Sequence, residues 1–308
     1  MINFDKIIIS LEVYNFHLFI TYFSGIVDVV KFDNFQSAFH KVNIRNLNYI
    51  DEIKNTNGNI EEVGFIKNKL VAISDSKLIT QNLFDEFDQK ILLEENNFEQ
   101  LYINQDSHKI DLLTTNNNLI SVNTISFDER KNYNKYLKLD NNITVSNLKS
   151  VSNNIYISIR GYGAKEINQE KTISFRSEDA QDIEVLSKNN IIIIADAFQG
   201  LLIFDLLENK KAIRKVKFEN DIIQEIRLYQ KMLLLKGKNG LYIYDYTFDK
   251  KYQIFEGSVG AFTSYYDMIF FTNNNKVNMI TKDNTSVQHF KLIKDKLDIK
   301  IEKIKKYS

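Results

Sequence analysis

Cysteine, proline and tryptophan do not occur among the 308 residues, and glycine occurs only ten times. Without cysteine there is no disulfide and no thiolate, which excludes a redox couple and a cysteine nucleophile. Without proline, turns fall to Gly, Asn, Asp and Ser. The runs NTNGN (55–59), TNNNL (115–119) and TNNNKV (272–277) fill that role. An excess of charge is also missing, because Lys plus Arg and Asp plus Glu both number 40. That balance lacks the basic footprint of a nucleic-acid-binding or anionic-membrane-binding protein. The one basic run, Lys300–Lys306, reads as a solvated terminus.

No apolar window reaches the length of a bilayer-spanning helix, so no transmembrane segment is expected. The start, MINFDKIIISLEVYNFHLFITYF, carries Asp5, Lys6 and Glu12 and lacks a basic leader and a small-residue cleavage site. A cytoplasmic protein and a mature exported one both fit. The four histidines, His17, His40, His108 and His289, have no paired spacing, so no metal site is expected. There is no EF-hand loop and no G-x-S-x-G elbow. GKNG (237–240) lacks the P-loop spacing and reads as a hairpin turn, with Asn239 and Gly240 both suited to positive φ. No catalytic residue and no cofactor are assigned.

What the chain does contain is a repeated piece. IIIIADAFQGLLIFDL (191–206) is two apolar runs about a polar, Gly-bearing break, the pattern of a buried hairpin. Six relatives of it start at His17, Lys69, Lys109, Asn154, Lys231 and Met268. Marking one apolar residue in each gives Leu18, Leu70, Ile110, Ile155, Ile191, Met232 and Ile269, with steps of 52, 40, 45, 36, 41 and 37 residues. The mean, about 42, lies in the range of four-stranded propeller blades. Flanking stretches supply the outer two strands of a unit: IEEVGFI, FEQLYIN, DIEVLSK and IIQEIRLYQ before the hairpins, AFHKVNI, YNKYLKL, AIRKVKF and KYQIFEG after them. A β-sandwich would explain the strand density but not the period. Helix-period stretches such as 82–96 are brief, and that one is expected as a short excursion.

The expected fold is therefore all-β, a seven-bladed β-propeller with four antiparallel strands per blade, in a single domain over residues 1–308. Its blades are expected near 4–44, 58–94, 98–140, 146–178, 180–219, 221–257 and 260–293. Residues 297–304 would form a closing strand pairing with the N-terminal KIIISL.

Residues 177–206, SEDAQDIEVLSKNNIIIIADAFQGLLIFDL, resemble the bacterial LVIVD-type propeller repeat and, more loosely, WD40-like repeats. The likeness lies in an acidic approach, a first strand, a buried strand ending Ala-Asp, then Gly-Leu and a strand closing on Asp. GLYIYDY (240–246) keeps Gly240 and Asp245 in equivalent places. Phe204-Asp205 and Tyr244-Asp245 stand where WD40 repeats carry Trp-Asp, without a preceding Gly-His pair. Kelch-type paired glycines are missing, and the absence of tryptophan sets aside tryptophan-docked quinoprotein propellers. FFTNNNKVNMITKDN (270–284) resembles one YVTN-type repeat of lactonase-like propellers.

The most chemically varied turn is RGYGAKE (160–166), followed by Arg176, Glu178 and Asp179. In a propeller such turns and blade connections ring a channel mouth. Arg160, Tyr162, Arg176, Asp179, Asp196 and Gln199 are accordingly the candidate ligand- or partner-binding residues. The plainer reading has Asp196 and Asp205 capping their own turns, and tyrosines such as Tyr242, Tyr244, Tyr265 and Tyr266 filling space between blades. The repeat without a catalytic constellation points to a non-catalytic scaffold, most simply monomeric, that binds a protein partner, and the charge balance points to no nucleic acid. The alternatives are a lactonase-like hydrolase with a channel-mouth site and an accessory protein of an exported nitrate-reductase system, of the NapL-like kind.

Overall fold

The computed structural model describes residues 7–14, 17–24, 26–32, 47–54, 60–66, 69–74, 77–82, 89–93, 97–104, 108–123, 133–140, 142–152, 154–167, 172–207, 211–266, 268–281, 286–293 and 296–303. They form seven antiparallel sheets, each an up-and-down meander in chain order. The first is β1 (Ile8–Tyr14), β2 (His17–Tyr22), β3 (Ile26–Phe32) and β4 (Leu47–Lys54). The second is β5 (Ile60–Ile66), β6 (Lys69–Ser74), β7 (Lys77–Asn82) and β8 (Gln89–Leu93), and the third β9 (Phe98–Asn104), β10 (Lys109–Thr114), β11 (Asn118–Asn123) and β12 (Tyr133–Lys138). The fourth is β13 (Val145–Val151), β14 (Asn154–Ile159), β15 (Gly163–Ile167) and β16 (Thr172–Arg176). The fifth is β17 (Ala180–Leu186), β18 (Ile191–Asp196), β19 (Gly200–Asp205) and β20 (Arg214–Val216). The sixth is β21 (Ile223–Tyr229), β22 (Met232–Gly237), β23 (Gly240–Asp245) and β24 (Lys250–Glu256). The seventh is β25 (Phe262–Tyr265), β26 (Met268–Asn273), β27 (Lys276–Thr281), β28 (Ser286–Ile293) and β29 (Lys296–Lys303).

All seven hairpins read from the sequence are the second and third strands of their sheets. Three expectations are corrected. Residues 89–93, inside the stretch expected as a helical excursion, form β8. Residues 296–303 pair antiparallel with β28, and β1 pairs with β2, so among the described residues the two end strands do not pair with each other as a closing strand. AFHKVNI (38–44) lies outside the described residues, and the fourth strand of the first sheet is Leu47–Lys54. Among the described residues no helix is long and apolar enough to cross a membrane.

The chain divides into two compact units, residues 64–257 and residues 1–63 with 258–308. Within the larger unit the sheets stack face to face, and this explains the unbroken run of isoleucines. Ile193, Ala195, Leu201 and Ile203 pack with Ile226, Leu233, Leu235 and Tyr244 of the sixth sheet. The alternate residues Ile192, Ile194, Leu202 and Phe204 pack with Tyr156, Ala164 and Phe175 of the fourth. A strand covered on both faces has no side left for polar residues. Each fully buried isoleucine or leucine contributes about 1.5–3 kcal/mol relative to exposure. In the smaller unit Leu11, Leu18 and Ile20 of the first sheet pack with Met268, Phe270 and Met279 of the seventh.

The first strands β9, β13, β17 and β21 run side by side. Each carries a bulge near its start, at Glu99, Ser146, Gln181 and Gln224. The extra residue re-aims the side chains that follow it.

Candidate interaction site

Asp196 closes β18 and is fully buried. Its Oδ2 accepts the backbone N–H groups of Glu178 and Asp179 at 2.7 and 2.9 Å, and its Oδ1 those of Phe198 and Gln199, both at 2.8 Å. Four N–H donors thus satisfy both oxygens of one buried side chain. The effect is mechanical. The β18–β19 turn and the connection from the fourth to the fifth sheet become one rigid edge. Gly200 completes the turn at φ +81°, where a Cβ would stand 2.2 Å from the Val216 carbonyl oxygen, so only glycine fits. Asp205 accepts the Leu207 N–H at 2.7 Å, a local turn cap.

Asp179 extends the edge to the neighbouring sheet. Its Oδ1 accepts the Gly161 N–H at 3.0 Å, and its Oδ2 accepts from Gln181 Nε2 at 2.8 Å and lies 3.7 Å from the Arg160 guanidinium. Ser177 N–H donates to the Tyr162 carbonyl at 3.3 Å. Gln199 Oε1 accepts from Lys215 Nζ at 2.6 Å. Arg160, Asp179, Asp196 and Gln199 are thus joined along one end of the fourth and fifth sheets. Arg176 lies opposite Gly163 at the end of β16 and is exposed. The joining also divides the set. Asp196 has no accessible surface, so it positions the edge rather than touching a ligand. Arg160 and Tyr162 are half exposed, and Phe198 is 72% exposed.

Asp221 repeats the device in the sixth sheet. It accepts the Asn239 N–H at 3.0 Å and the Tyr242 hydroxyl at 2.7 Å. Burial, then the hydrogen bond to Asp221, pushes the Tyr242 hydroxyl far up. The GKNG segment is a hairpin turn as expected, but neither Asn239 nor Gly240 takes positive φ. Its glycines serve close approach instead, since a Cβ on Gly237 would meet Asp221 Oδ2 at 2.3 Å. Tyr244 is fully buried, and Tyr266 is 64% exposed rather than filling space between sheets.

Beside this edge lies an open depression of about 940 Å³, lined by Leu139, Asp140, Asn142 and Ile143 on one wall and by Arg160, Gly161, Tyr162 and Lys165 on the other. The Lys165 ammonium sits 5.3 Å from the Tyr162 ring centroid, a cation–π distance.

Sequence reasoning missed a charged network on the adjacent first strands. Lys149 Nζ donates to Glu184 Oε2 at 2.7 Å and to the Ile226 carbonyl at 3.4 Å. Asp182 accepts the Ile226 and Ile183 N–H groups, each at 2.6 Å. Lys236 pairs with Glu225. Burial pushes the Asp182 carboxyl up to about 7 against the opposing pull of Lys149 and the two N–H donors. Burial would lower Lys149, but Glu184, Asp182 and Tyr102 outweigh it and leave its pKa raised. The missed signal is a column of repeat positions, Tyr102, Lys149, Glu184 and Arg227, each just after a buried Leu101, Leu148, Ile183 or Ile226.

His17 is buried on β2 with its ring 6.3 Å from Phe19, His108 is an exposed turn residue, His289 is on β28, and His40 lies outside the described residues. Among the described residues, no group of three or more His, Asp or Glu is placed to hold a metal ion.

Comparison with protein-family models and with curated proteins finds no match. Among solved structures, the chain is similar to the Neurospora crassa Pan2 WD40 domain, with a TM-score of 0.64 at 11% identity over 88% of each chain. At that identity the likeness shows the fold alone. The fold it shares with that domain is a seven-bladed β-propeller, built here from six four-stranded meanders and one of five strands.

Proposed function

We propose that this chain is a non-catalytic propeller scaffold that binds a protein partner, or organises a larger assembly, through the edge built on the fourth and fifth sheets. The observation that carries the proposal is Phe198, 72% exposed on a turn whose backbone Asp196 fixes on both sides. A large apolar side chain held in water on a rigid support is the form of an interface anchor. Tyr162, Arg160 and Arg176 at the same end belong to residue types enriched at interfaces. Asp179, Asp196 and Gln199 hold the shape that presents them. WD40 propellers commonly mediate protein interactions, which supports the same reading. Asp182, whose raised pKa would suit a general acid, has both oxygens engaged by backbone N–H groups, which weighs against the hydrolase alternative. Within the propeller class, Ala195-Asp196, Gly200-Leu201 and Asp205 favour the LVIVD-type repeat, and a NapL-like accessory role is one setting for such a scaffold.

The test is affinity capture from a lysate of the source organism with the wild-type chain and with a Tyr162→Ala/Phe198→Ala variant. A protein retained by the first and lost by the second supports the reading. Equal recovery on both, or no recovery together with turnover of a small ester or lactone, overturns it.

A further inference from the structure

The depression between residues 139–143 and the Arg160–Tyr162 turn is a built pocket, because both of its walls are pinned from behind. On one wall Asn117 Nδ2 donates to the Asp140 and Ile143 carbonyls at 3.1 and 3.0 Å, and Leu139 N–H donates to the Asn117 carbonyl at 2.8 Å. On the other, Arg160 N–H bonds the Thr144 carbonyl at 3.0 Å and Gly161 N–H bonds Asp179. Side chains on such a frame lose little freedom when a ligand arrives, so the ordering cost of binding is low.

Its chemistry is specific. Two cations, Arg160 and Lys165, share the lining with one carboxylate-bearing residue, Asp140. Arg160 is about half exposed, and its 3.7 Å approach to Asp179 is longer than a hydrogen bond. A guanidinium has five N–H donors, so that single ion pair does not exhaust it. Lys165 lies by the Tyr162 ring, which is 47% exposed. Gly161 stands between them at φ +67° with no atom within 4 Å of where a Cβ would be, so the backbone there is open to approach. The volume, about 940 Å³, holds several residues of an extended chain but is small for a globular surface.

We infer that this pocket binds an acidic-aromatic peptide segment of the partner, with a carboxylate between Arg160 and Lys165 and a neighbouring aromatic side chain against Tyr162. The inference rests on the partner-binding reading and narrows it to one pocket and one chemistry. The Arg guanidinium matches a planar carboxylate, the Lys ammonium adds a point charge beside it, and the tyrosine favours a flat apolar group, so neither half alone accounts for the lining. The pairing also gives specificity. A basic segment meets like charge, and an acidic segment without an aromatic leaves Tyr162 wet.

The experiment selects phage-displayed random dodecapeptides on the full chain and measures fluorescein-labelled winners by anisotropy against variants. The expected winners place Asp or Glu beside Phe, Tyr or Trp. They lose at least about tenfold in affinity on Arg160→Met/Lys165→Met and on Tyr162→Ala, while Phe248→Ala, an equally exposed aromatic between β23 and β24, leaves them unchanged. Thermal midpoints equal to wild type establish that these surface variants fold. Selection without acidic enrichment, or acidic winners that bind the double variant as well as wild type, overturns the inference. Winners lost on Phe198→Ala but kept on Arg160→Met/Lys165→Met leave the scaffold reading standing and remove this pocket from it. A thymidine dodecamer that binds as tightly, with the same loss on the double variant, overturns the choice of carboxylate over phosphate.

Discussion

Replacing Lys149 by methionine isolates the energetics of the network that joins β13, β17 and β21. Its ammonium lies 2.7 Å from Glu184 Oε2, and the two side chains are only 12% and 14% exposed. Methionine keeps most of the apolar stem and removes the charge. Glu184 then stays buried without a counter-ion, and Asp182 loses the cation that opposes its burial. Breaking a buried pair from one side costs about 3–5 kcal/mol, because the remaining ion keeps its desolvation penalty. Lys149→Met/Glu184→Met removes both ions, and apolar replacement of a whole buried pair is often close to neutral. The double variant should therefore recover at least about 2 kcal/mol of the single loss. With no tryptophan to report, urea unfolding followed by far-ultraviolet circular dichroism reads both as midpoint shifts at constant slope. The non-additive part of the cycle is the coupling of the pair. A Lys149→Met variant within about 1 kcal/mol of wild type would refute the reasoning, since an exposed, solvated pair behaves that way.

The carboxyl of Asp182 makes stability depend on pH. Its folded pKa is about 7 against a usual 3.8, so as pH rises the unfolded chain releases this proton first. The group therefore costs stability progressively from about pH 4 to pH 7 and a constant amount above that. The thermal midpoint of wild type relative to Asp182→Asn should fall across that window, and a difference that stays flat between pH 4.5 and 8 counts against it. Gly200→Ala should lose about 2–4 kcal/mol from a left-handed φ plus overlap with the Val216 carbonyl. Gly161→Ala, equally left-handed but in open space, should lose only about 1–2 kcal/mol. Equal midpoint shifts for the two in urea would show that the close approach at Gly200 carries no energy.

The fold was readable because burial on two faces leaves a mark that burial on one face does not. Ile192 and Ile194 serve the fourth sheet while Ile193 and Ala195 serve the sixth, so the run has no polar gaps and its recurrence every 40 or so residues stands out. The ends were misread for a related reason. LDIKIEKI alternates like any edge strand, and alternation names no partner, so its pairing with β28 was invisible. The site was half readable. Turn residues announce themselves, and Arg160 and Tyr162 of RGYGAKE lie on the turn between β14 and β15. Which polar groups remain outward is a different question, because it depends on what the backbone claims first. Asp196 looks like a ligand in sequence and is consumed by four N–H groups in the fold. Lys165, in the same motif but outside the candidate set, lines the pocket beside Tyr162. Lys149 and Glu184 are 35 residues apart and meet only because adjacent first strands carry bulges at matching positions. A repeat turns sequence separation into spatial neighbourhood at the same strand position, so opposite charges one repeat apart on first strands are candidate contacts. Lys149, Glu184 and Arg227 form such an alternating column, and the first step of it is a bond.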